Sequence, residues 1–429
     1  MTPRLVAYEL LKKLEKSKQY SNIILDHALN QSGLEGPDRA LASALFYGVI
    51  EKKLTLDYQL SHLSSRKLEE LDCDVLCALR LGLYQLIFLD KIPNHAAINE
   101  TVSLCSRKTS GFVNAVLRSY TRQGLSPLPD RESDTVNYLS VAYSVSPALC
   151  EKLLSVYSLD KIEKILEGIS IAPPTTVRAN TLVISRDELA EKIEGSTPTV
   201  NSPNGLRVKG NVRELYGFDL GAFFVQDEAS QICVEALEAK EGELMLDICA
   251  CPGSKSFGSA IRMNNKGRII SFDLHEKKLS LIESSATRLG INIIETKAHD
   301  GRVFIPELEE AADRVLCDVP CSGFGVLAKK PELRYKDPAE SEALPKIQAD
   351  ILENASKYLK KGGTLVYSTC TIFPEENEEN VKRFLASHTD FTLEPFQVGD
   401  ISAPDGYITF LPSKEYSIDG FFIAKLIRR

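Results

Sequence analysis

The sequence has no run of about 20 uninterrupted apolar residues, the length a helix needs to span a bilayer. Its most apolar segment, Leu76 to Leu89, is broken by Arg80 and Gln85. The opening Met1-Thr2-Pro3-Arg4 runs straight into an amphipathic segment, without the apolar core of a secretion signal. These absences make the cytoplasm the expected location. C-x-x-C pairs are missing too, and no histidine stands at ligand spacing from the cysteines. Neither a metal site nor a dithiol redox pair is therefore expected. Nor is there a surplus of positive charge: the net charge of −8 argues against non-specific binding to a polyanion. The acidity is uneven, with residues 1–130 nearly balanced and the later segments carrying the excess.

A chain of 429 residues suggests two or three domains. Ten cysteines are scattered along it, several inside apolar runs, where a reduced core thiol is the ordinary reading. Residues 1–130 read as all-α: Val6, Leu10 and Leu14 share one helical stripe, and Leu76, Leu79, Leu83 and Leu86 another. Gln123-Gly-Leu-Ser-Pro-Leu-Pro-Asp130 reads as a linker. Residues 131–235 mix helical pieces (Leu149 to Leu166) with strands near Thr175–Asn180 and Gly205–Lys209, a small α+β linking module. From 236 to 429 strands and helices alternate. Strands at Leu244–Ile248, Arg268–Phe272, Ile291–Thr296, Arg314–Cys317 and Thr364–Ser368 predict an α/β, doubly wound, Rossmann-like domain.

Ligands in such sheets bind beyond the C-terminal strand ends. Asp247, Asp273, Asp300 and Asp318 all fall there. One such Asp is usually a turn residue, but four in successive units converge on one edge. The first turn, Asp247-Ile-Cys-Ala-Cys-Pro-Gly-Ser-Lys-Ser256, has neither the G-x-G-x-x-G of dinucleotide sites nor a P-loop. S-adenosylmethionine carries no phosphate and suits it better, with Asp273 set for the ribose diol and Asp300 for the adenine. On pattern alone a methyltransferase leads, with another nucleotide-binding enzyme as the alternative.

Two cysteines occupy turns at the same edge: Asp318-Val-Pro-Cys-Ser-Gly-Phe-Gly325 after the fourth strand and Tyr367-Ser-Thr-Cys-Thr371 after the fifth, the latter leading into Pro374-Glu375-Glu376-Asn377. For Cys249, Cys251 and Cys317, packing is the ordinary reading. Cys321 and Cys370 suit one reaction especially well. Cytosine C5 is too weak a nucleophile to take a methyl group directly. A thiolate added at C6 makes the ring enamine-like, so one difficult step becomes two easier ones. An acid near N3 or N4 would stabilise the developing charge, and Asp318 is the candidate.

These motifs, Asp247-Ile-Cys-Ala-Cys-Pro-Gly-Ser-Lys255, Asp318-Val-Pro-Cys-Ser-Gly and Tyr367-Ser-Thr-Cys, resemble those of RNA (cytosine-5) methyltransferases over residues 236–429. Val177-Arg-Ala-Asn180 and Phe224-Val-Gln-Asp-Glu-Ala-Ser230 resemble that family's lead-in segments. The resemblance implies Cys370 as nucleophile and Cys321 as the thiol that helps resolve the adduct. It implies cofactor contacts from Cys249, Ala250, Cys251, Pro252, Gly253, Ser254, Lys255, Asp273, Asp300 and Asp318. Cys251 and Ser254 replace the family's usual Ala and Gly, and Phe324 a common Thr.

The helical segment also carries motifs. Asp38-Arg39, Phe46-Tyr-Gly-Val49, Leu79-Arg-Leu-Gly-Leu-Tyr84, Ala97-Ile-Asn-Glu100 and Phe112-Val-Asn-Ala-Val-Leu-Arg118 resemble NusB, a helical RNA-binding factor. A NusB-like domain joined to this catalytic domain is the arrangement of the bacterial RsmB (Sun/Fmu) family, whose members methylate 16S ribosomal RNA. The resemblance implies that RNA as partner, and the final Asp419-Gly-Phe-Phe422 fits it as a terminal strand. Arg39, Arg80, Arg107 and Arg118 would form a phosphate-contacting face. Lys329, Lys330, Arg334 and Lys336 would line the RNA path, with Tyr335 as a stacking surface. A methyltransferase with another acceptor and a non-catalytic ribosome-assembly factor are the competing readings. An intact cysteine pair speaks against the second.

Overall fold

The computed structural model describes residues 1–16, 21–171, 173–414 and 418–429. The chain forms two compact units, residues 1–170 with 327–338, and residues 171–326 with 339–429.

The first unit is helical. Its helices are α1 (Pro3–Lys16), α2 (Ser21–Ser32), α3 (Gly36–Glu51), α4 (Lys53–Leu63), α5 (Cys73–Phe88), α6 (Asn94–Ser103), α7 (Ser110–Gln123), α8 (Thr135–Tyr143), α9 (Pro147–Val156) and α10 (Leu159–Gly168). The core gathers Val6, Leu10, Phe46, Leu79, Leu83 and Leu117, the apolar stripes of the helices. Two helix crossings are too close for side chains. A Cβ at Gly48 would lie 2.0 Å from the Tyr84 ring, and one at Gly82 would lie 2.6 Å from Leu117.

The segment 124–130, expected as a linker, has no regular structure, yet it is fastened. Buried Gln59 pairs with Ser126 through both amide groups, at 2.8 and 3.0 Å, and Tyr58 donates to the Pro127 carbonyl. Helices α8 to α10 therefore continue the first unit, and the chain divides at 170, where the sequence suggested breaks near 130 and 235.

The second unit opens with a four-stranded antiparallel sheet in the order β2-β3-β1-β4, from β1 (Thr175–Ala179), β2 (Thr197–Pro198), β3 (Gly205–Val208) and β4 (Phe223–Val225). Helix α11 (Arg186–Lys192) packs on it, started by a capping box between Ser185 and Glu188. Asp227 caps α12 (Glu228–Leu237). Next come β5 (Leu244–Asp247), α13 (Ser254–Arg262), β6 (Arg268–Asp273), α14 (Glu276–Arg288), β7 (Ile294–Ala298), β8 (Ala312–Asp318), α15 (Leu344–Lys357), β9 (Leu359–Thr369) and α16 (Glu378–Ser387). The chain closes with β10 (Phe391–Leu393), β11 (Phe396–Val398), β12 (Ile401–Ala403), β13 (Tyr407–Phe410) and β14 (Phe421–Arg428).

The main sheet runs β10-β14-β9-β8-β5-β6-β7, with β13 also on β14. Strands β7, β6, β5, β8 and β9 are mutually parallel, whereas β14 is antiparallel to β9. The expected strands recur with small shifts. Strand β9 starts at Leu359, five residues before the expected Thr364, and β7 starts at Ile294, three residues after the expected Ile291. Ile291 instead finishes α14: Gly290 turns at φ +70°, the Ile291 N–H bonds back to Ala286, and its side chain is buried.

Candidate active site

The sheet's parallel register sets the site. Strands β5, β6 and β8 end on Asp247, Asp273 and Asp318, and Asp300 lies two residues beyond β7. Registering Asp318 opposite Ser368 brings the turns after β8 and β9 side by side. Four acidic groups and both turn cysteines therefore share one edge, as the strand ends in the sequence imply.

The loop from β5 to α13 is shaped by a few contacts. Gly253 adopts φ +103°, which side chains disfavour, and a Cβ there would sit 2.5 Å from the Phe257 ring. The Cys251–Pro252 peptide is cis. Asp273 accepts from the Cys251 and His275 amides at 3.3 and 2.9 Å, joining this loop to the end of β6. Gln226, ahead of α12, donates to the Ser254 carbonyl at 3.1 Å while its own buried Oε1 lacks a partner. Asp247 is 1 % exposed, accepts from Ser256 at 2.6 Å and leaves Oδ1 unpartnered. Burial pushes its carboxyl up to about 7, against the Ser256 hydrogen bond, which lowers it.

Lys255 reaches into the same space. Its Nζ lies 2.6 Å from Asp318 Oδ2 and over the Phe421 ring, 5.1 Å from the centroid. Burial, the largest influence, lowers the ammonium, but the Asp318 charge and hydrogen bond together with the charges of Cys233 and Asp247 outweigh it and hold the group well above its ordinary value. Ser368 donates to the other Asp318 oxygen at 2.8 Å, so that carboxylate is fixed at both ends. Asp300 faces its neighbour Arg302 through a two-point ion pair that holds it down to about 2.

The two thiols meet. Cys321 Sγ and Cys370 Sγ are 3.0 Å apart, both are half-buried free cysteines, and the Cys370 amide donates to Cys321 Sγ at 3.2 Å. The hydrogen bond to Cys370, together with burial, holds the Cys321 thiol well above its usual value, and the negative charges of Cys370 and Glu376 add to this. Backbone contacts clasp the nearby turns: Gly325 donates to the Cys370 carbonyl and Gly420, just before β14, donates to the Gly325 carbonyl. A Cβ on Gly325 would fall 2.0 Å from the Gly420 oxygen, so only glycine permits this approach.

The expected cofactor can be tested against these residues. Gly253 leaves a cradle without a side chain, Asp273 stands at the second strand end for a diol, and the loop carries no glycine series for a pyrophosphate. That set fits S-adenosylmethionine. Two further cysteines pack: Cys317, in β8, is fully buried, and Cys251 donates to the Lys278 carbonyl at 3.3 Å. Among the described residues no group of three or more His, Cys, Asp or Glu is arranged to hold a metal ion, and no helix is long and apolar enough to cross a membrane.

Part of the expected RNA surface is corrected. Arg80 is buried, paired twice with Asp57 at 2.7 Å and once with Glu15 at 2.8 Å, so it ties helices together and meets no phosphate. Arg334 is 1 % exposed and donates to the Glu51, Ile169 and Leu327 carbonyls within the helical unit. Tyr335 is half-buried against the helical core. It donates to the Ile50 carbonyl, bonds Ser144 and lies under Lys53. Arg107, Arg118 and Lys329 are exposed. Arg39 is half-buried and donates to Asn30. Sequence reasoning assigned no role to Ser368, Gln348, Glu376 or Asn377. The only signal was a polar run directly after a cysteine turn.

Comparisons with known proteins point to one family. The family described as 16S rRNA methyltransferase RsmB/F matches residues 234–427, and the NusB family matches residues 1–122. A Bacillus subtilis protein named "Probable ribosomal RNA small subunit methyltransferase B" is 37% identical over 99% of this chain and 98% of its own length. A Yersinia enterocolitica ribosomal RNA small subunit methyltransferase B is 32% identical over 93% of this chain and 92% of its own. The crystal structure of PH0851 superposes with a TM-score of 0.83 at 27% identity, covering 100% of this chain and 99% of that one.

Proposed function

The chain belongs to the ribosomal RNA small subunit methyltransferase B family, and from that premise we propose that it uses S-adenosylmethionine to methylate C5 of a cytosine in 16S ribosomal RNA, through a covalent adduct on Cys370. The observation that carries this reading is the thiol pair, 3.0 Å apart in adjoining turns beside the Lys255–Asp318 pair.

The cofactor, held by the loop Cys249 to Lys255 with Asp273, Asp300 and Asp318, supplies an electrophilic methyl group. The protein's own residues do the rest. Cys370 attacks C6 as thiolate, forming the S–C6 bond while the C5–C6 π electrons move toward C5 and the N3 side of the ring. Asp318 holds the Lys255 ammonium at 2.6 Å, and it is the proton of that pair that meets the negative charge growing there. In this reading Cys321, hydrogen-bonded to Cys370, is the member of the pair that keeps its proton, and Cys370 is the nucleophile. Once C5 carries the methyl group, a base takes the C5 proton, the C–H electron pair restores the C5–C6 double bond, and the S–C6 bond breaks with its electrons returning to the Cys370 thiolate. Cys321 assists that release. Attack from the ring face requires an unpaired or flipped-out cytosine.

The test is transfer of labelled methyl from S-adenosylmethionine to unmodified small-subunit ribosomal RNA, followed by nucleoside analysis. The expected product is 5-methylcytosine, and Cys370→Ala should abolish it while sparing cofactor binding. Turnover by that variant, or a methyl group on another atom, would sink the mechanism.

A further inference from the structure

The run Pro374-Glu-Glu-Asn377 follows the Cys370 turn and takes no part in the chemistry above. Its Glu376 and Asn377 are nevertheless among the most buried polar residues of the unit, at 3 % and 0 % exposed. Asn377 stands at the N-cap of α16, where an Asn side chain normally bonds the helix's free amides. Here it makes no cap hydrogen bond. Its Oδ1 accepts from Thr369 Oγ1 at 2.5 Å and its Nδ2 donates to the Thr371 carbonyl at 3.1 Å. Those are the two neighbours of Cys370.

Glu376 does the same for the other thiol. Its Oε2 accepts from the Ser322 amide at 2.9 Å and from Gln348 Nε2 at 2.8 Å, and Gln348 Nε2 also donates to the Pro320 carbonyl at 2.9 Å. Pro320 and Ser322 are the two neighbours of Cys321. A hydroxyl contact between Ser322 and Thr371, at 2.8 Å, joins the two turns directly. The Tyr367 hydroxyl donates to the Glu376 carbonyl at 2.6 Å and fixes the run to β9. A helix start has given up its cap to bracket one cysteine, and the residue before it brackets the other.

We propose that Glu376 and Asn377 are positioning residues that hold the two thiols in register, Asn377 serving the nucleophile and Glu376, with Gln348, serving the resolving thiol. This rests on the two-thiol reading given above. Each bracket governs a different step, so the two residues have separable signatures. Loosening the Cys370 turn slows formation of the RNA adduct. Loosening the Cys321 turn leaves formation intact and slows its release.

The experiment uses the full chain, unmodified small-subunit ribosomal RNA and S-adenosylmethionine, following the adduct on denaturing gels, with the Kd for the cofactor and the Tm measured alongside. Asn377→Ala should form adduct at least tenfold more slowly, with Kd for the cofactor within twofold of the parent. Should that variant not fold, Asn377→Asp, which keeps the acceptor for Thr369 and loses the donor to Thr371, carries the same expectation. Glu376→Gln, which sets an amide against Gln348, should accumulate adduct as Cys321→Ala does. Adduct formation at the parent rate in the Asn377 variants overturns the proposal. So does a loss of cofactor affinity that parallels a fall in Tm. Absence of accumulation in Glu376→Gln, where Cys321→Ala accumulates, overturns the Glu376 half. If Cys321→Ala itself accumulates nothing, or Cys370→Ala still forms adduct, the two-thiol reading has failed instead.

Discussion

Both units bury charged side chains, but they treat them differently. In the helical unit Arg80 has three charged hydrogen bonds to Asp57 and Glu15, and Arg334 has three backbone carbonyls. In the catalytic unit several buried polar atoms go without. Among the described residues, those lacking a partner belong to Arg178, Asn201, Arg207, Gln226, Asp247 and Ser259. Four of these six lie along α13: Gln226 bonds Ser254 and Asp247 bonds Ser256 in its first turn, Arg178 faces Gly258 and Ser259 lies at its middle. An unmet buried polar group costs about 1–3 kcal/mol. On the proposed function, the groups left open beside the β5–α13 loop are the ones kept for the ligand.

The sharpest test of this contrast removes a buried cation from each side. Lys255→Met leaves Asp318 without its partner in the active cleft. Methyl transfer should fall roughly 100-fold or more, the scale of losing a charged group aimed at developing charge. Arg80→Met should leave activity per folded molecule unchanged and lower unfolding free energy by about 2–4 kcal/mol, because Asp57 and Glu15 are left facing each other. Urea titration and single-turnover kinetics on both variants decide it. A catalytic defect in Arg80→Met that persists where the protein is fully folded would erase the contrast.

How much of this was legible beforehand follows from the range of each interaction. Strand ends at Asp247, Asp273 and Asp318 are local signals, set by apolar runs that stop at a carboxylate, and the structure has the strands ending there. The Cys321 and Cys370 turns followed from the same punctuation. Arg80 and Arg334 were misread because an arginine looks solvated until its partners, as far as 283 residues away in sequence, are known. The linker at 124–130 failed likewise: Pro and Gly correctly forecast irregular backbone, but nothing local announced that Gln59 would hold it. Asn377 was hidden for a third reason. Its environment predicts a helix cap, and the side chain is spent elsewhere.

A smaller effect separates the units by pH. Asp247 has its carboxyl raised to about 7 from an ordinary 3.8, so between pH 4 and 7 the unfolded chain ionises while the folded one keeps its proton. That contribution is fully present below pH 4, is lost as pH rises through about 7, and is constant above it. The loss is about 4 kcal/mol at most. Asp247→Asn should flatten this fall, so the stability of the variant relative to the parent should climb between pH 4 and 7. Parallel stability curves for the two proteins would show that Asp247 is ionised in the fold throughout.

The smallest expected effect concerns Tyr335, and here magnitudes separate two roles. As a stacking platform for RNA, Tyr335 would be replaceable by Phe without loss, since the ring does the work and contributes about 1–3 kcal/mol per base. As a strut of the helical unit it depends on its hydroxyl, which bonds the Ile50 carbonyl and Ser144. Tyr335→Phe should then lose about 1 kcal/mol of stability, the net worth of a buried hydrogen bond, with RNA affinity unchanged at fixed salt. Parent-like stability in the Phe variant, combined with weakened RNA binding in Tyr335→Leu, would return this residue to the RNA surface. The opposite result fixes it among the satisfied groups of the helical unit, on the same side of the contrast as Arg80 and Arg334.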